Sequence, residues 1–334
     1  MRYLITGGSG YIGSRLTEIL AVRDETERIV NVDIQAPRST PAKATYHRGD
    51  IRDRVMIRNL LQEEEIDCLL HLAFVFSHPI HDEAKMYDVD VNGTEGVLRS
   101  ASEAGTEQVL VTSSASAYGA FPDNPRPIAE DWPVRGVADF SYPRDKAEAD
   151  RICQVWAADH PDRVMTIVRP CIVFSPKVDN FISEGWEKFP TVLLPDGVDE
   201  EIQFVHEEDV VSAIASLLDA RAPGAFNVAG DGTITYRQCA ELIGKKVREM
   251  PFKRAYRIAQ VLWKLRLPQG SAPPGAVRFL RYPWIVSTEK LKATTGWAPK
   301  YRTREVFEET MRAKGKLAAA GAPSAAATVG ARSR

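Results

Sequence analysis

The chain is poor in the features that mark secreted, metal-binding and membrane-spanning proteins. Its 334 residues include only four cysteines, and no two of them are close in the sequence. This argues against a disulfide framework and a zinc site, and it favours a reducing compartment, which we predict to be the cytoplasm. No apolar run reaches the roughly 20 residues that a membrane-spanning helix needs. Because the sequence opens directly with a strand pattern, we expect no signal peptide.

The chain also lacks the charge imbalance of proteins that bind nucleic acid through a broad basic surface. Its 43 lysines and arginines are nearly balanced by 45 aspartates and glutamates, which leaves a formal net charge of −2. No overall field therefore favours a polyanionic partner, and we expect no nucleic acid. The length suits two lobes with sizeable cores, and the expected partner is a small-molecule substrate.

Strand and helix patterns alternate along the first half of the chain and become shorter afterwards. The alternation runs to about Pro170, as a parallel sheet with crossover helices requires. We predict an α/β fold with a doubly wound parallel sheet and a smaller C-terminal substrate lobe. The sheet domain is expected to comprise residues 1–170 and about 203–228, and the lobe about 171–202 and 229–316. Residues 317–334 are low in complexity and predict a disordered tail.

A glycine-rich turn follows the first predicted strand, Arg2–Thr6. Residues 6–13 read Thr-Gly-Gly-Ser-Gly-Tyr-Ile-Gly. Gly7 opens a tight turn, Gly10 lets the backbone approach a pyrophosphate, and Gly13 removes a side chain where the next helix packs on the sheet. The N-terminus of that helix offers N–H groups and a partial positive charge to phosphates. The pattern predicts a dinucleotide site.

A carboxylate stands at the end of the second predicted strand, Arg28–Asp33. Asp33 follows Gly13 by twenty residues, the spacing expected for an acid that binds the adenosine ribose hydroxyls. Such a carboxylate repels a 2′-phosphate, so the sequence favours NAD over NADP. Arg38 lies close enough in sequence to leave the phosphorylated cofactor open as an alternative.

Three later residues have the chemistry of proton transfer beside such a cofactor. Tyr142 and Lys146 are four residues apart and therefore share one face of a helix. A nearby ammonium favours the phenolate, so we expect Lys146 to lower the pKa of Tyr142 towards the working range. The strand Gln108–Thr112 delivers Ser114 to the carboxyl end of the sheet, where such folds bind ligands. The Ser114 hydroxyl can hold the substrate oxygen against the tyrosine.

Together these motifs resemble the extended short-chain dehydrogenase/reductase family, in its NAD-dependent epimerase/dehydratase branch. The resemblance spans roughly residues 1–300 and implies a Rossmann-type fold and NAD as the cofactor. Further landmarks follow in the family's order. They are Asp50-Ile51, His71-Leu72-Ala73, Asn92 in Val-Asn-Gly-Thr, Arg169-Pro170, residues 204–210, residues 226–228 and residues 296–299.

The resemblance also implies site residues. The implied catalytic residues are Ser114, Tyr142, Lys146 and Asn92, with Asn92 supporting the lysine and a proton-relaying water. The implied cofactor-binding residues are Gly7, Gly10, Tyr11, Ile12, Gly13, Asp33, Asp50, Ile51, Leu72, Ala73, Tyr142, Lys146 and Pro170. The substrate residues are predicted to be Phe74, Ser116, Cys171 and Asn180. We expect His71 to pack near the cofactor rather than to act as a base, and we expect no metal.

Several positions depart from the pattern of nucleotide-sugar enzymes. These enzymes usually carry a diphosphate-binding arginine where this chain has Ile202, and isoleucine makes no bidentate phosphate contact. The chain has Arg281-Tyr-Pro-Trp where they commonly have Arg-x-Gly-Asp. Ala115 and Ser116 replace the acidic pair of the sugar dehydratases, which disfavours dehydration.

A basic stretch from Pro251 to Thr288 contains seven lysines and arginines and no acidic residue. Apolar residues interleave with the basic ones at helical spacing, which predicts an amphipathic helix. Three interpretations remain open: a lobe helix with a solvated basic face, a cationic lid over an anionic substrate, and weak attachment to an anionic membrane surface.

The sequence therefore predicts an NAD-dependent oxidoreductase that transfers a hydride at a secondary alcohol or ketone. The enzyme alternative is a sugar-nucleotide epimerase similar to UDP-glucose 4-epimerase, which reduces and reoxidises NAD within one cycle. The other alternative is an NAD-binding scaffold or redox sensor, although a mere binder would not need Ser114, Tyr142 and Lys146 together. The resemblance alone implies a homodimer, formed through the helices that begin near Glu83 and Tyr142.

Overall fold

The computed structural model describes residues 1–75, 82–177, 181–266 and 272–317. The predicted disordered tail falls outside these ranges, apart from Leu317. Strands are present at Arg2–Thr6, Arg28–Asp33 and Gln108–Thr112, as the sequence predicts, and a further strand lies at Val164–Pro170. Each of these segments is apolar in its interior and buried on both faces of a sheet, as central parallel strands require.

The described elements are numbered in chain order. The strands are β1 Arg2–Thr6, β2 Arg28–Asp33, β3 Ala44–Arg48, β4 Cys68–His71, β5 Gln108–Thr112, β6 Val164–Pro170, β7 Ile172–Phe174, β8 Thr191–Pro195, β9 Glu201–Ile202, β10 Phe204–His206, β11 Gly224–Val228, β12 Ile234–Thr235 and β13 Lys246–Met250. The α-helices are α1 Tyr11–Ala21, α2 Arg54–Glu63, α3 Glu83–Tyr87, α4 Gly93–Ala104, α5 Ser141–Asp159, α6 Phe181–Lys188, α7 Glu207–Asp219, α8 Tyr236–Leu242, α9 Phe252–Lys264, α10 Ala276–Phe279, α11 Glu289–Thr295 and α12 Thr303–Ala313.

The central sheet has seven parallel strands in the order β11-β6-β5-β4-β1-β2-β3. The order reverses between β1 and β4, and the ends of these two strands lie side by side because Thr6 pairs with His71. In open α/β sheets, ligands bind outside the carboxyl ends of the strands at such a switch point. The fold thus brings the glycine turn after β1 and the segment after β4 to one crevice.

Helices cover both faces of this sheet. Leu16 of α1 and Val210 of α7 share a buried cluster with Ile5. Leu4, the neighbour of Ile5 in β1, points to the other face and packs in a second cluster with helices α2, α4 and α5. Successive strand residues alternate between faces, so one short apolar strand serves two cores. The predicted doubly wound α/β fold is confirmed.

A separate apolar core forms after Pro170. It is built around stacked aromatic rings, including Phe174, Phe204 and Phe307, and it includes Ile202. Three two-stranded pairings organise it: β7 with β10, β9 with β12, and β8 with β13. Among the described residues, the next strand of the central sheet after β6 is β11, which pairs with β6 at the sheet edge.

A buried ion pair ties α5 to the central sheet. Arg169 of β6 donates to both carboxylate oxygens of Asp150 at 2.8 and 2.9 Å, and both side chains are almost fully buried. Arg169 also donates to the Tyr118 hydroxyl at 2.7 Å. A charge pair removed from water is favourable only when its hydrogen bonds are satisfied, as they are here. The interaction fixes the helix that carries Tyr142 against the strands.

Candidate active site

The glycine turn between β1 and α1 leaves no room for side chains at Gly7 and Gly13. Gly7 has φ +75°, and a Cβ atom there would lie 2.7 Å from the Ala73 backbone nitrogen. At Gly13, a Cβ atom would lie 2.2 Å from the Gly7 carbonyl oxygen. The Gly10 N–H donates to the same carbonyl at 3.0 Å, which closes the turn. The turn therefore brings the start of α1 close against the ends of β1 and β4.

The N-terminus of α1 has the character of a phosphate site. Gly10 precedes the helix without a side-chain cap, and its first turn, which includes Tyr11 and Ile12, carries no acidic residue. Ile12 packs on the core beneath, which anchors the turn. Free N–H groups and the helix dipole together favour a phosphate at this end. These residues fit the pyrophosphate of a dinucleotide.

Asp33 lies beside this turn at the end of β2. Its carboxylate accepts a hydrogen bond from the Ser9 N–H at 3.0 Å and another from the Gln35 N–H at 2.9 Å. Both bonds come from backbone and fix the carboxylate where the glycine turn and β2 meet. Arg38, the cation that left NADP open, is exposed. The geometry suits a carboxylate that accepts ribose hydroxyls.

The expected adenine contact, Asp50, is held by a neighbouring cation. Arg52 donates from Nε to Oδ1 of Asp50 at 3.0 Å and from Nη2 to Oδ2 at 2.6 Å, and this guanidinium lowers the pKa of the Asp50 carboxyl. Arg52 also donates to Asp88 at 2.7 Å. Ile51 is buried against α4. A carboxylate can accept several hydrogen bonds, so Asp50 can bind Arg52 and an adenine amino group at the same time. The adenine contact stays a prediction.

The segments after β4 and β6 frame the crevice. The Leu72 N–H donates to the Thr6 carbonyl at 3.0 Å, and Ala73 follows it against the glycine turn. Pro170 ends β6 and is buried. Cys171 is buried as well, and burial raises the pKa of its thiol, so it offers no reactive thiolate. The remaining predicted substrate residue, Asn180, lies outside the described residues.

Ser114, Ser116 and Tyr142 form a hydrogen-bonded group at the carboxyl end of β5. The Ser114 Oγ accepts from the Ser116 N–H at 3.1 Å and from the Ser116 hydroxyl at 2.9 Å. The Tyr142 hydroxyl is hydrogen-bonded to Ser114. Tyr142 lies in the first turn of α5, where the next residue, Pro143, is tolerated because no intrahelical N–H bond is needed there. The sequence led us to expect Ser114 near Tyr142, with the substrate oxygen between the two hydroxyls, and the structure has the two side chains in direct contact.

Lys146 stands one turn further along α5 and is almost fully buried. Its ammonium donates to the Thr112 carbonyl at 2.7 Å. The Phe74 ring covers it, with Nζ 3.4 Å from the ring centroid, and the same ring meets Tyr142 edge-on at 5.8 Å. Phe74 therefore lies at the centre of the constellation, in contact with both proton-transfer candidates.

The pKa of Tyr142 moves in the opposite direction from the one we expected. Burial raises the pKa of Tyr142 to about 12, with a smaller raising effect from the Asp90 charge, while the Ser114 hydrogen bond lowers it. Burial also lowers the pKa of Lys146 well below its ordinary value, and the Asp90 charge opposes this effect. Removing both groups from water disfavours their charged forms, and this outweighs the attraction on which the sequence argument relied.

Asn92 is not brought to Lys146. It ends a five-residue π-helical turn, Asp88–Asn92, where it is exposed and donates to the Asp88 carboxylate at 3.0 Å. The fully buried group of this turn is Asp90, whose charge acts on Lys146 and Tyr142. The implied role of Asn92 beside the lysine does not agree with this placement.

Asp90 is the site residue that sequence reasoning missed. One carboxylate oxygen accepts from the Val75 N–H at 2.7 Å, and the other is buried without a hydrogen-bond partner in the described part of the chain. Burial raises the pKa of Asp90 well above its ordinary value, while the Val75 N–H and the Lys146 charge lower it. Helical spacing could have identified Asp90 as the buried residue. Asp90 precedes the buried Thr94 by four residues and therefore shares its helix face. Asn92 precedes Thr94 by two residues and therefore lies on the opposite face.

His71 connects two strands and a helix as a neutral residue. One ring nitrogen is 2.7 Å from the Thr6 hydroxyl and the other is 3.0 Å from the Thr94 hydroxyl. Burial, with help from the Lys146 charge, lowers the pKa of His71 to about 3. It therefore stays uncharged at neutral pH, as a packing role requires.

The position of the missing phosphate-binding arginine is part of an apolar core. Ile202 is 2 % exposed and belongs to the core built after Pro170. Arg281, at the second departure, donates to the Asp196 carboxylate at 2.9 Å, which offsets its charge locally. Neither position presents an uncompensated cation for a diphosphate.

A doubly wound parallel sheet with a phosphate-type glycine turn, and a serine–tyrosine pair with a neighbouring lysine, defines a dinucleotide-dependent oxidoreductase. Within this class, the chain belongs to the NAD dependent epimerase/dehydratase family, whose model matches residues 3–229. Membership makes the chain an enzyme and NAD its cofactor. The family resemblance, the enzyme prediction and the cofactor prediction are confirmed.

Known relatives cover most of the chain at low identity. An uncharacterised protein of Mycobacterium bovis is 24% identical over 320 residues, which cover 93% of this chain and 84% of the relative. The UDP-glucose 4-epimerase of Haemophilus influenzae is 30% identical over 207 residues, which cover 58% of this chain and 60% of the relative. The structure of Thermus thermophilus UDP-glucose 4-epimerase in complex with NAD matches with a TM-score of 0.70, at 23% identity, and covers 94% of this chain and 98% of that one.

Neither a membrane-spanning helix nor a metal-binding cluster occurs in the part of the chain that the structure describes. Within residues 1–75, 82–177, 181–266 and 272–317, no helix is long and apolar enough to cross a membrane. The same ranges contain no group of three or more histidine, cysteine, aspartate or glutamate side chains that could hold a metal ion.

Proposed function

We propose that the protein catalyses reversible hydride transfer between NAD and a secondary alcohol or ketone, with Tyr142 as the acid–base residue. The observation that carries the proposal is the hydrogen bond between the Tyr142 and Ser114 hydroxyls, one helical turn from Lys146. With a proton donor and a second hydroxyl side by side, one substrate oxygen could contact both. NAD, when bound, supplies the hydride chemistry.

Each side chain then has a task in moving one proton. In oxidation, the Tyr142 oxygen accepts the proton of the substrate hydroxyl, and in reduction it returns that proton. Ser114 donates to the substrate oxygen and keeps it against the tyrosine, while Ser116, bonded to Ser114 at 2.9 Å, orients the serine hydroxyl. With NAD bound, the ammonium of Lys146 would favour the phenolate of Tyr142 and would bind the nicotinamide ribose.

Asp90, rather than Asn92, supports the lysine in this proposal. Its charge raises the pKa of Lys146 and so opposes the effect of burial. Because one carboxylate oxygen is tied to the Val75 N–H, the carboxylate is held in place while the other oxygen faces the buried interior. A positioned negative charge is what a buried ammonium needs in order to stay charged near neutral pH.

The ends of the first two strands support the choice of cofactor and its orientation. Asp33 is fixed by two backbone N–H groups and repels a 2′-phosphate, so NAD is preferred to NADP. We place the pyrophosphate at Gly10, Tyr11 and Ile12, and the nicotinamide end towards Ala73 and Pro170. The sheet domain, residues 1–170 and about 203–228, would hold the cofactor.

The substrate is proposed to be something other than a sugar nucleotide. The lobe of residues 171–202 and 229–316 would close over it, with Phe74 and Ser116 as contacts from the sheet domain. Ile202 lies in an apolar core and offers no charge to a diphosphate. The alternative is sugar-nucleotide epimerisation, which the likeness to the Haemophilus influenzae UDP-glucose 4-epimerase favours.

The proposal also includes a cytoplasmic location and a homodimer. The four cysteines are free and buried, which suits the reducing conditions of the cytoplasm. A homodimer through α3 and α5 is supported by apolar side chains exposed on those helices, Tyr87 and Val155. Sedimentation of the wild-type chain and of Val155→Asp would test the dimer.

Cofactor retention separates the two enzyme reactions. A dehydrogenase exchanges its cofactor at every turnover and should purify largely free of NAD, with a net absorbance change on a suitable alcohol or ketone. An epimerase restores its cofactor within each cycle and gains from holding it. We expect little NAD to be released when the purified protein is denatured, and weak binding of UDP-glucose and UDP-galactose in calorimetry.

One combined result would overturn the dehydrogenase proposal. Near-stoichiometric NAD in the purified protein, together with micromolar binding of either sugar nucleotide, would make epimerisation the function. Tyr142→Phe serves as the control, because it should leave cofactor retention unchanged whichever reaction is catalysed.

A further inference from the structure

Helix α9 exposes a row of large apolar side chains to solvent. Ile258, Val261 and Leu265 are 41%, 56% and 62% exposed. They are three and four residues apart, so they lie one above another on a single face that continues just past the helix end. The other six exposed large apolar side chains of the described residues lie in six different parts of the chain. The row, which we call the apolar stripe, is therefore a distinct surface feature.

The opposite face of α9 already has its intramolecular contacts. Ala255 is buried, and the Tyr256 hydroxyl donates to the Asp139 carboxylate. The Phe252 ring packs against Tyr282 at 5.7 Å between centroids. These residues fix the helix on the protein with the stripe turned outward. The stripe is thus a second apolar face, in addition to the one that the fold uses.

Cations border the stripe. Lys253, Arg257 and Lys264 are all exposed, and their spacing of four and seven residues places them in one row beside the apolar one. Arg254 and Arg266 are exposed as well. No acidic residue occurs between Pro251 and Thr288. The surface therefore combines apolar area with a local positive charge that the nearly neutral chain does not have as a whole.

This combination fits an anionic lipid surface better than the other possible occupants. At a membrane, apolar side chains enter the boundary between headgroups and acyl chains, while long cationic side chains reach the phosphates. A second copy docked stripe to stripe would bring two strongly basic segments together, and like charges disfavour that contact. An acidic protein partner would satisfy the cations but needs an apolar row of its own, which lipid supplies without any sequence requirement.

We propose that α9 docks the protein on anionic membrane surfaces, with Ile258, Val261 and Leu265 inserted between lipids and the flanking lysines and arginines on lipid phosphates. The helix lies in the plane of the interface and does not span the bilayer. The attachment is electrostatic and apolar at once, so it weakens in salt and requires both kinds of side chain. It is independent of the reaction that the active site catalyses.

Vesicle co-sedimentation of the full chain tests the proposal directly. We expect the protein to bind vesicles of mixed phosphatidylglycerol and phosphatidylcholine, to bind pure phosphatidylcholine about ten-fold or more weakly, and to dissociate at high salt. The double variant Ile258→Asp/Val261→Asp and the charge variant Lys253→Glu/Arg257→Glu/Lys264→Glu should each lose about ten-fold or more in affinity for the mixed vesicles.

A matched control removes the same kind of side chain elsewhere. Val55 of α2 is 59% exposed, and Val55→Asp should bind the mixed vesicles like the wild type. Each variant should unfold at the same temperature as the wild type, which would show that any loss of vesicle binding is not caused by loss of folding. Equal binding to both lipid compositions, no binding to either, or unchanged binding by the stripe variants would overturn the proposal. Sedimentation velocity without lipid would also overturn it if it showed self-association abolished by Ile258→Asp/Val261→Asp.

Discussion

At the scale of single residues, burial and neighbouring charges have opposing effects on the pKa values of the candidate catalytic groups. Tyr142 and Lys146 are both removed from water, and burial pushes each towards its neutral form. The Asp90 charge raises the pKa of Lys146 and so opposes burial there. The Ser114 hydrogen bond lowers the pKa of Tyr142 and opposes burial at that residue. The working protonation states therefore depend on a few specific contacts, and each contact can be removed by an isosteric substitution.

Removing the Tyr142 hydroxyl should abolish proton transfer and little else. We expect Tyr142→Phe to lower turnover by about 100-fold or more, the usual contribution of a positioned acid–base group, because the ring remains and only the donor oxygen is lost. Steady-state kinetics on an identified substrate gives the rate, and NAD titration should give nearly wild-type affinity. A variant with near wild-type rates would show that another group carries the proton.

Neutralising Asp90 should change the pH dependence of the reaction. Asp90→Asn keeps the acceptor for the Val75 N–H but removes the charge that raises the pKa of Lys146. The ammonium should then be lost at a lower pH, by about one unit or more, so activity should decline earlier as pH rises. The measurement is kcat/KM against pH.

The neighbouring Asp88 provides the control for this experiment. Asp88→Asn alters a carboxylate of the same π-helical turn that is 47% exposed and pairs with Arg52, so its pH profile should match the wild type. If Asp90→Asn and Asp88→Asn shift the profile equally, the proposed role of Asp90 is wrong. Equal kcat and KM losses without any shift would indicate that Asp90 is only structural.

At the scale of elements, the glycine turn is the segment with the least steric freedom. A methyl group at Gly13 would meet the Gly7 carbonyl at 2.2 Å, and neither backbone segment can move without disturbing the turn. We expect Gly13→Ala to weaken NAD binding by about ten-fold or more, which is ~1.4 kcal/mol. Calorimetric titration of the purified variant measures the change.

Gly185 offers a comparison in which the same methyl group fits. It lies inside α6, and its nearest neighbour in the direction of a Cβ is Phe189 at 3.9 Å. Gly185→Ala should leave NAD affinity unchanged and stabilise the fold by roughly 0.5–1 kcal/mol, because alanine loses less backbone entropy than glycine in a helix. Equal NAD affinities for the two variants would contradict the steric argument.

The elements of the sheet were predictable because their signals are local. Arg2–Thr6 and Arg28–Asp33 are apolar runs bounded by turn residues, and the structure has strands with the same bounds. The turn at Gly7 followed from the glycine spacing, and the position of Ser114 at the carboxyl end of the sheet followed from the strand before it. Asn92 was implied as a partner of Lys146 because an asparagine is typical of this segment. The resemblance did not take into account which face of the helical turn the residue occupies, and Asn92 lies on the exposed face.

Other properties of the site depend on contacts that no spacing encodes. The Phe74 ring lies over Lys146 because two segments distant in sequence meet at the crevice. The upward shift of the Tyr142 pKa depends on how completely the fold removes water, which is set by many residues together. The basic stretch was visible in the sequence, but only the structure separates its buried face from its exposed apolar stripe.

At the scale of the whole molecule, one buried histidine makes stability depend on pH. The pKa of His71 is about 3 in the folded chain, below its ordinary value near 6.5. Between these values the unfolded chain binds a proton that the folded chain does not. The free energy of unfolding should therefore fall as pH falls through this window, by ~1.4 kcal/mol per pH unit from this residue.

His71→Gln should reduce this acid sensitivity. Between pH 7.5 and pH 5, we expect the free energy of unfolding of the variant to fall by about 2 kcal/mol less than that of the wild type. Urea denaturation at both pH values gives the two differences, so any constant cost of the substitution cancels. Identical pH dependence in the two proteins would mean that His71 is protonated in the folded state.

The late return of β11 to the sheet has a consequence for biosynthesis. β6 is complete once Pro170 has been translated, but its sheet neighbour β11 begins only at Gly224. While the ribosome adds residues 171–223, the nascent chain carries β6 as an open strand edge with unpaired N–H and C=O groups, a template for pairing with other chains. A translational pause in this interval would prolong the exposure of this edge and with it the risk of aggregation.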